Sequence, residues 1–123
     1  MLNIYSDSSQ SALKYLKDIE SSIHNVIIMT GDFNIRDCKW DPYYLFHFIH
    51  SNSLFDIVDS FSLDISNSIE NVPTRFSDNN HNTNSVLDLV FLCPFFPEFN
   101  QHCIHPKWRL LSDHTPITIN VSI

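Results

Sequence analysis

Asn25-Val26-Ile27-Ile28-Met29-Thr30-Gly31-Asp32-Phe33-Asn34 is the stretch on which the reading of this chain turns. Val26 to Met29 is a continuous apolar run between Asn25 and Gly31, the pattern of a strand covered on both faces. Gly31 is the only glycine in 123 residues, where average composition would supply about 7%. Its place at the strand's exit signals a backbone demand. Asp32 and Asn34 follow two apart, and in extended chain both side chains point the same way. A carboxylate beside a carboxamide can orient a water or a phosphate oxygen. On residue frequency alone, an Asx-rich turn after a strand is the better reading of the same residues.

Working outward, Leu2-Asn3-Ile4-Tyr5 reads as the end of a buried strand, and the polar Ser6-Asp7-Ser8-Ser9 after it suits a helix cap. Ala12, Leu16, Ile19 and Ile23 recur at helical spacing with Lys14, Lys17, Asp18 and Glu20 on other faces, an amphipathic helix. Strand, helix, strand makes an α/β unit. Downstream, Tyr44, Leu45, Phe48, Ile49 and then Leu54, Phe55, Ile57, Val58 and Phe61 predict two short helices divided at Ser51-Asn52-Ser53. Asp64 to Ser85 is rich in Ser, Asn and Asp and reads as a long surface loop, with a short strand near Arg75-Phe76. Val86 to Leu92 is a second buried strand, and Pro116 to Ile123 alternates as a half-buried one.

Composition bounds the function. One domain is the expectation at this length, and 43% hydrophobic residues with ten Phe exclude a disordered chain. A net charge of −7 and no Lys/Arg cluster argue against a phosphate track built on basic residues. A phosphodiesterase that works through a metal needs carboxylates at its centre, so charge alone is a weak test. Cys38, Cys93 and Cys103 are odd in number and form no C-x-x-C pair, so a reducing, intracellular setting is the default. No apolar run approaches the roughly 18 residues of a membrane span.

Asp88 lies inside Val86-Leu87-Asp88-Leu89-Val90-Phe91, where an unpaired carboxylate would cost several kcal/mol. Ser112-Asp113-His114, before the last strand, offers the partner: an imidazole held by Asp88 would be oriented and kept protonated, ready to stabilise negative charge. The plainer reading makes Asp88 a loop cap and His114 a surface histidine. His47 with His50, and His102, Cys103 and His105, raise a zinc site, but no fourth ligand has suitable spacing and surface or packing roles are favoured. Trp40, Trp108 and the phenylalanines read as core rather than as base-stacking platforms.

In this order, an apolar strand with Gly-Asp-Phe-Asn, an Asp in an apolar strand and Ser-Asp-His before a terminal strand are similar to the C-terminal signature of the endonuclease/exonuclease/phosphatase superfamily. Asn3-Ile4-Tyr5 resembles that family's strand ending in an active-site tyrosine. Thr83-Asn84-Ser85-Val86-Leu87-Asp88 resembles the Thr/Ser-x-Ser-x-Ile/Leu-Asp pattern of non-LTR retrotransposon endonucleases, whereas abasic-site repair enzymes carry a Trp-Arg pair before this Asp.

The resemblance implies an α/β fold: residues 1–123 as a partial domain, the C-terminal half of a four-layer α/β-sandwich in which two facing mixed sheets are flanked by helices. It implies phosphodiester hydrolysis assisted by Mg2+ or Mn2+ on DNA, with Asp32 as proton acceptor, Asn34 and Tyr5 on the phosphate, Asp88 orienting His114, Thr83 and Ser112 supporting the phosphate site, and Asp113 by the metal. The family's principal metal ligands, an Asn and a Glu, precede the tyrosine strand, so weak or absent catalysis is expected of this stretch alone. The alternatives are a non-catalytic remnant and, within the superfamily, a phosphatase or lipid phosphodiesterase. An N-terminal half or a reverse transcriptase is the implied protein partner, and a nuclear location would suit a working enzyme.

Overall fold

The computed structural model describes residues 1–49, 51–66, 72–76, 84–95, 101–110 and 112–120. Its centre is a four-stranded mixed sheet in the order β1 (Leu2–Tyr5), β2 (Ile28–Asp32), β4 (Asp88–Leu92), β3 (Asp64–Ile65). The β1 and β2 strands run parallel, joined across α1 (Ser11–Ile19), while β4 is antiparallel to both β2 and β3. A second helix, α2 (Ser51–Ser60), precedes β3, and β5 (Gln101–Ile104) pairs antiparallel with β6 (Ile117–Asn120).

Because side chains alternate across a strand, the central sheet sorts its residues into two faces. Met29, Leu89 and Phe91 point to the helical side, where they form one core with Leu13 and Leu16 of α1 and Leu54, Ile57 and Val58 of α2. Phe33 and Phe91 meet there edge to face at 5.5 Å, and both are fully buried. Each such side chain contributes roughly 1.5–3 kcal/mol of burial. On the other face Ile28, Val90 and Leu92 pack against Ile117 and Ile119 of β6. The β6 strand therefore packs on the face of the sheet opposite the helices. Those two rows continue through Thr30, opposite Val90, to Asp32 and Asp88, directly across from one another. Alternation thus carries both carboxylates onto the face toward β6, at the end of the sheet.

Gly31 explains itself in this register. It lies opposite Ile4 of β1 with φ 144°, and a Cβ built on it would stand 1.8 Å from the Ile4 carbonyl oxygen. Only glycine lets the two backbones approach so closely.

Several expectations change. Residues 42–49 contain turns and no helix; only the second of the two expected helices forms. The reason lies in Asp37, fully buried, whose carboxylate accepts the N–H groups of Lys39 and Phe48 and meets His47 Nδ1 at 2.6 Å. Those bonds hold the segment as an irregular loop in competition with a helix. The first helix stops at Ile19 and gives way to a 3-10 turn at Glu20–Ser22, so Ile23 falls outside it. The first strand is half covered rather than buried, with Asn3 and Tyr5 exposed, because it lies at the sheet's edge. Within the stretch read as surface loop, Asp64–Ile65 is a strand and Arg75 forms single bridges to Ser85 and His114. Trp40 is buried as expected, but Trp108 is 58% exposed. No helix among the described residues is long and apolar enough to cross a membrane.

Candidate active site

Three chain segments converge at the end of the central sheet where Asp32 and Asp88 face one another. Like charges in directly opposed positions repel, and the residue between them is His114. Its Nδ1 lies 2.8 Å from Asp88 Oδ2, and its Nε2 lies 3.7 Å from Asp32 Oδ2 and 4.0 Å from Asp113 Oδ1. Only the first is a hydrogen bond. Burial pushes the Asp88 carboxyl above the ordinary carboxylate range, while the bond and charge of His114 pull it back. Burial acts to lower the His114 pKa but is outweighed by the bond and charge of Asp88 and the charges of Asp32 and Asp113, which raise it above the ordinary histidine value. Both shifts act together, and the pair retains its proton to higher pH than an isolated imidazole would.

Thr74 fixes Asp88 from below. Fully buried, it accepts the N–H groups of both Leu87 and Asp88 on Oγ1, at 2.9 and 3.0 Å. The ladder of β4 begins at Asp88 rather than Val86, because Leu87 and Asp88 bond Thr74 and the Leu87 carbonyl accepts from Phe33 N. Ser112 Oγ accepts the His114 N–H at 3.1 Å, which sets the backbone just before the imidazole.

Asp32 and Asn34 are brought together by a turn and not by strand alternation. Asn34 has φ 51°, and its N–H bonds Asp32 Oδ1 at 2.9 Å. The Asx-turn reading and the functional reading of Gly-Asp-Phe-Asn therefore describe one structure: Oδ1 shapes the turn, and Oδ2 faces the imidazole. Gln10 steadies the turn from the α1 side, accepting from Ser6 Oγ and donating to the Asn34 carbonyl.

Around these groups is a polar cleft of about 300 Å³ lined by Tyr5, Ser6, Asp32, Asn34, Arg75, Leu87, Asp113 and His114. Of the residues singled out in the sequence, Tyr5, Asp32, Asn34, Asp113 and His114 line it, and Asp88 stands behind His114. Ser112 does not line it but supports His114 through the backbone. Thr83 lies outside the described residues. Sequence reasoning missed Arg75, Thr74 and Gln10. Their only signal was the Pro73-Thr74-Arg75-Phe76 interruption in a polar stretch and a lone Gln before a helix. Among the described residues, Arg75 is the only cation of fixed charge on the cleft lining, and its Nε approaches Asp113 Oδ2 at 3.3 Å. Burial acts upward on Asp113, but the bond from Arg75 and the charge of His114 outweigh it and hold its carboxyl below the usual range.

One oxygen or nitrogen of each of Asp32, Asp88 and His114 falls within 4.8 Å of the others, a spacing that could hold a metal ion. A ring committed to Asp88 through Nδ1 and inclined to keep its proton is a poor ligand, however. Carboxylate and carboxamide oxygens of Asp32, Asn34 and Asp113 on the cleft wall are the donors that suit a hard divalent cation. Among the zinc candidates, His47 is engaged with Asp37 and Asn52, and His105 with Thr118. His50 and the His102 side chain lie outside the described residues.

No curated protein matches the sequence closely enough to count as a relative. Among solved structures, the endonuclease domain of TRAS1, a telomere-specific non-LTR retrotransposon, superposes with TM-score 0.76 at 18% identity, covering 98% of this chain and 55% of that one. NExo, a 3′ phosphatase from Neisseria bound to a product DNA hairpin, gives TM-score 0.72 at 17% identity, with 98% and 60% covered. The same protein described as a 3′-5′ exonuclease from Neisseria meningitidis gives 0.70 at 17%, again 98% and 60%. The chain thus spans a little over half the length of these neighbours, and at such identities they speak for the fold. A family model described as endonuclease-reverse transcriptase matches residues 1–118, nearly the whole chain and every residue of the cleft, so the chain belongs to that family within the endonuclease/exonuclease/phosphatase superfamily.

Proposed function

We propose that this chain carries the hydrolytic face of a metal-dependent, DNA-nicking endonuclease of the retrotransposon type. The observation that supports it is the Asp88–His114–Asp32 succession on the wall of a polar cleft shared with Tyr5, Asn34, Asp113 and Arg75. In this reading Asp32 takes a proton from the attacking water as its oxygen bonds phosphorus. The bond to the leaving oxygen breaks, the leaving oxygen gains a proton, and Asp32 returns its own to solvent. Protonated His114, oriented by Asp88, faces the charge that builds on the phosphate. Tyr5 and Asn34 contact the phosphate oxygens. Arg75, whose exposed ion pair with Asp113 is worth little, turns to the phosphate as the diester monoanion gains negative charge toward the transition state. Asp113, with Asp32 and Asn34, would hold Mg2+ or Mn2+, which supplies Lewis-acid stabilisation of the phosphoryl group. Ser112 supports this arrangement through His114, and Thr83 is assigned to the same phosphate site by resemblance.

Supercoiled plasmid incubated with the purified chain and Mg2+, beside an Asp32→Ala/His114→Ala double variant, tests the reading. Open circles from the native chain and none from the variant are expected. Absence of nicking by a folded native chain sinks it in favour of a second reading: a non-catalytic portion that works only beside an N-terminal half or a fused reverse transcriptase. One observation favours that alternative: β1, at the edge of the sheet among the described residues, forms with α1 a mainly apolar groove of about 310 Å³ that includes Leu2, Ile4, Ala12, Tyr15 and Ile23.

A further inference from the structure

The turn that leads from β5 toward Ser112-Asp113-His114 has no role in the scheme above, yet it carries an unusual set of groups. Pro106–Trp108 is a 3-10 turn, with Arg109 as its C-cap, and it places the exposed Trp108 between Lys107 and Arg109. One face of the indole is backed by His105, stacked at 3.7 Å and 4° from parallel. His105 is in turn fixed by Nε2 against Thr118 Oγ1 at 2.8 Å and by its N–H on the Pro116 carbonyl. The platform is therefore rigid without the indole being buried. It is also tied to the cleft: Arg109 lies over the Phe76 ring at 4.4 Å, the Arg109 carbonyl accepts from Ser112 N, and Phe76 N–H donates to the Asp113 carbonyl. Arg75 on the cleft wall is the neighbour of Phe76.

The placement of charge sharpens the point. The chain has seven Lys and Arg against fourteen Asp and Glu. Arg36 is paired with Asp41 and Lys17 with Glu20, while Lys39 rests over Phe55. Arg75, paired with Asp113, lies on the cleft lining, Arg109 lies over Phe76 next to it, and Lys107 adjoins the exposed Trp108. An aromatic face flanked by cations matches a nucleobase flanked by phosphates, since every base has a π-face and each phosphate a charge to neutralise. From this we infer that Trp108, Lys107 and Arg109 form a single-stranded nucleic-acid contact beside the cleft, a base stacking on the free indole face and adjoining phosphates meeting the two cations. The inference rests on the reading of the cleft as one that takes DNA, but it concerns binding rather than cleavage.

The two tryptophans make the test direct, because Trp40 is 3% exposed and Trp108 is the one a solute can reach. The full chain is titrated, without divalent metal, with a DNA single strand of about twelve nucleotides, a length within known site sizes, and with a base-free deoxyribose-phosphate chain of the same length. Quenching of tryptophan emission by the first and much less by the second is expected. Trp108→Ala should weaken binding by about tenfold, read by anisotropy of a labelled strand. Lys107→Gln with Arg109→Gln should flatten the dependence of log affinity on log salt by about 0.7 per side chain. Equal quenching by both chains, or unchanged affinity in folded Trp108→Ala, overturns the inference. So does emission that responds to protein concentration and not to DNA, which would assign the surface to a second copy. Quenching without plasmid nicking would leave this contact standing while the catalytic reading fell; nicking with Trp108 silent would do the reverse.

Discussion

Gly31 and His114 show how much a single position carries here. At Gly31 any side chain meets the Ile4 carbonyl and a φ of 144° that L-residues avoid. Gly31→Ala should destabilise the fold by at least about 2 kcal/mol, read as a lower urea midpoint with unchanged slope; a midpoint within error of native would refute the close approach. At His114 the consequence is a pH dependence. Its pKa is raised in the fold, so the stability it contributes is fully present below the unfolded histidine value of about 6.5 and is lost as pH rises through the folded value. Asp88, with its own pKa raised by burial, works in the same direction as its ionised form becomes costly. Nicking that depends on the imidazolium should fall over the same rise in pH, and Asp88→Asn, which removes the main groups raising His114, should move that fall to lower pH. A pH profile unchanged by Asp88→Asn would remove His114 from this role.

At the scale of elements, β4 matters most because it is anchored twice: to β2 by its ladder and to Thr74 by the two N–H groups before and at Asp88. Thr74→Val keeps the shape and deletes the acceptor, leaving one buried and one part-buried donor without it. A loss of about 1–3 kcal/mol is expected in denaturant titration, with a larger loss of nicking than stability alone explains, since Asp88 then orients His114 poorly. Full activity in a destabilised variant would reduce Thr74 to a structural residue. The contrast between the two expected helices belongs here as well. α2 has a clean stripe of Leu54, Ile57 and Val58 and forms. Residues 42–49 have apolar residues at similar spacing, but Leu45, Phe46 and Ile49 end exposed, because buried Asp37 takes the Phe48 N–H and Cys38 N takes the Phe46 carbonyl, groups that a helix would have used.

For the molecule as a whole, a net charge of −7 sets the terms on which it can meet nucleic acid. The cleft gathers Asp32 and Asp113 with Asp88 behind, and a divalent ion held there would relieve their repulsion. Mg2+ should therefore raise the melting temperature in a concentration-dependent way, as any ligand of the native state does. EDTA should reverse it, and Asp113→Asn should blunt it. A melting temperature indifferent to Mg2+ would speak against a resident ion. Strand affinity should also climb with Mg2+ more than monovalent screening predicts, because the ion removes a local negative field that sodium only dilutes.

How much of this was legible beforehand follows from the range of each interaction. The apolar run before Gly31, the α1 and α2 stripes and the need of Asp88 for a partner are local or chemical facts, readable from residue type and spacing, and the Gly-Asp-Phe-Asn and Ser-Asp-His motifs carried the family. The strands at Asp64–Ile65 and Gln101–Ile104 were not readable, since short strands are stabilised by partners distant in sequence and carry weak patterns of their own. Arg75, Thr74 and Gln10 acquire meaning only when β4, the turn after β2 and the segment before β6 come together. Trp108 has the composition of a core residue, and nothing local says that His105 would cover just one of its faces. The sequence by itself determined which groups had to be paired, Asp88 with His114 among them, and which backbone position had to be glycine; the tertiary structure alone decided that Thr74 anchors Asp88 and which aromatic stays in solvent, because both depend on what packs opposite.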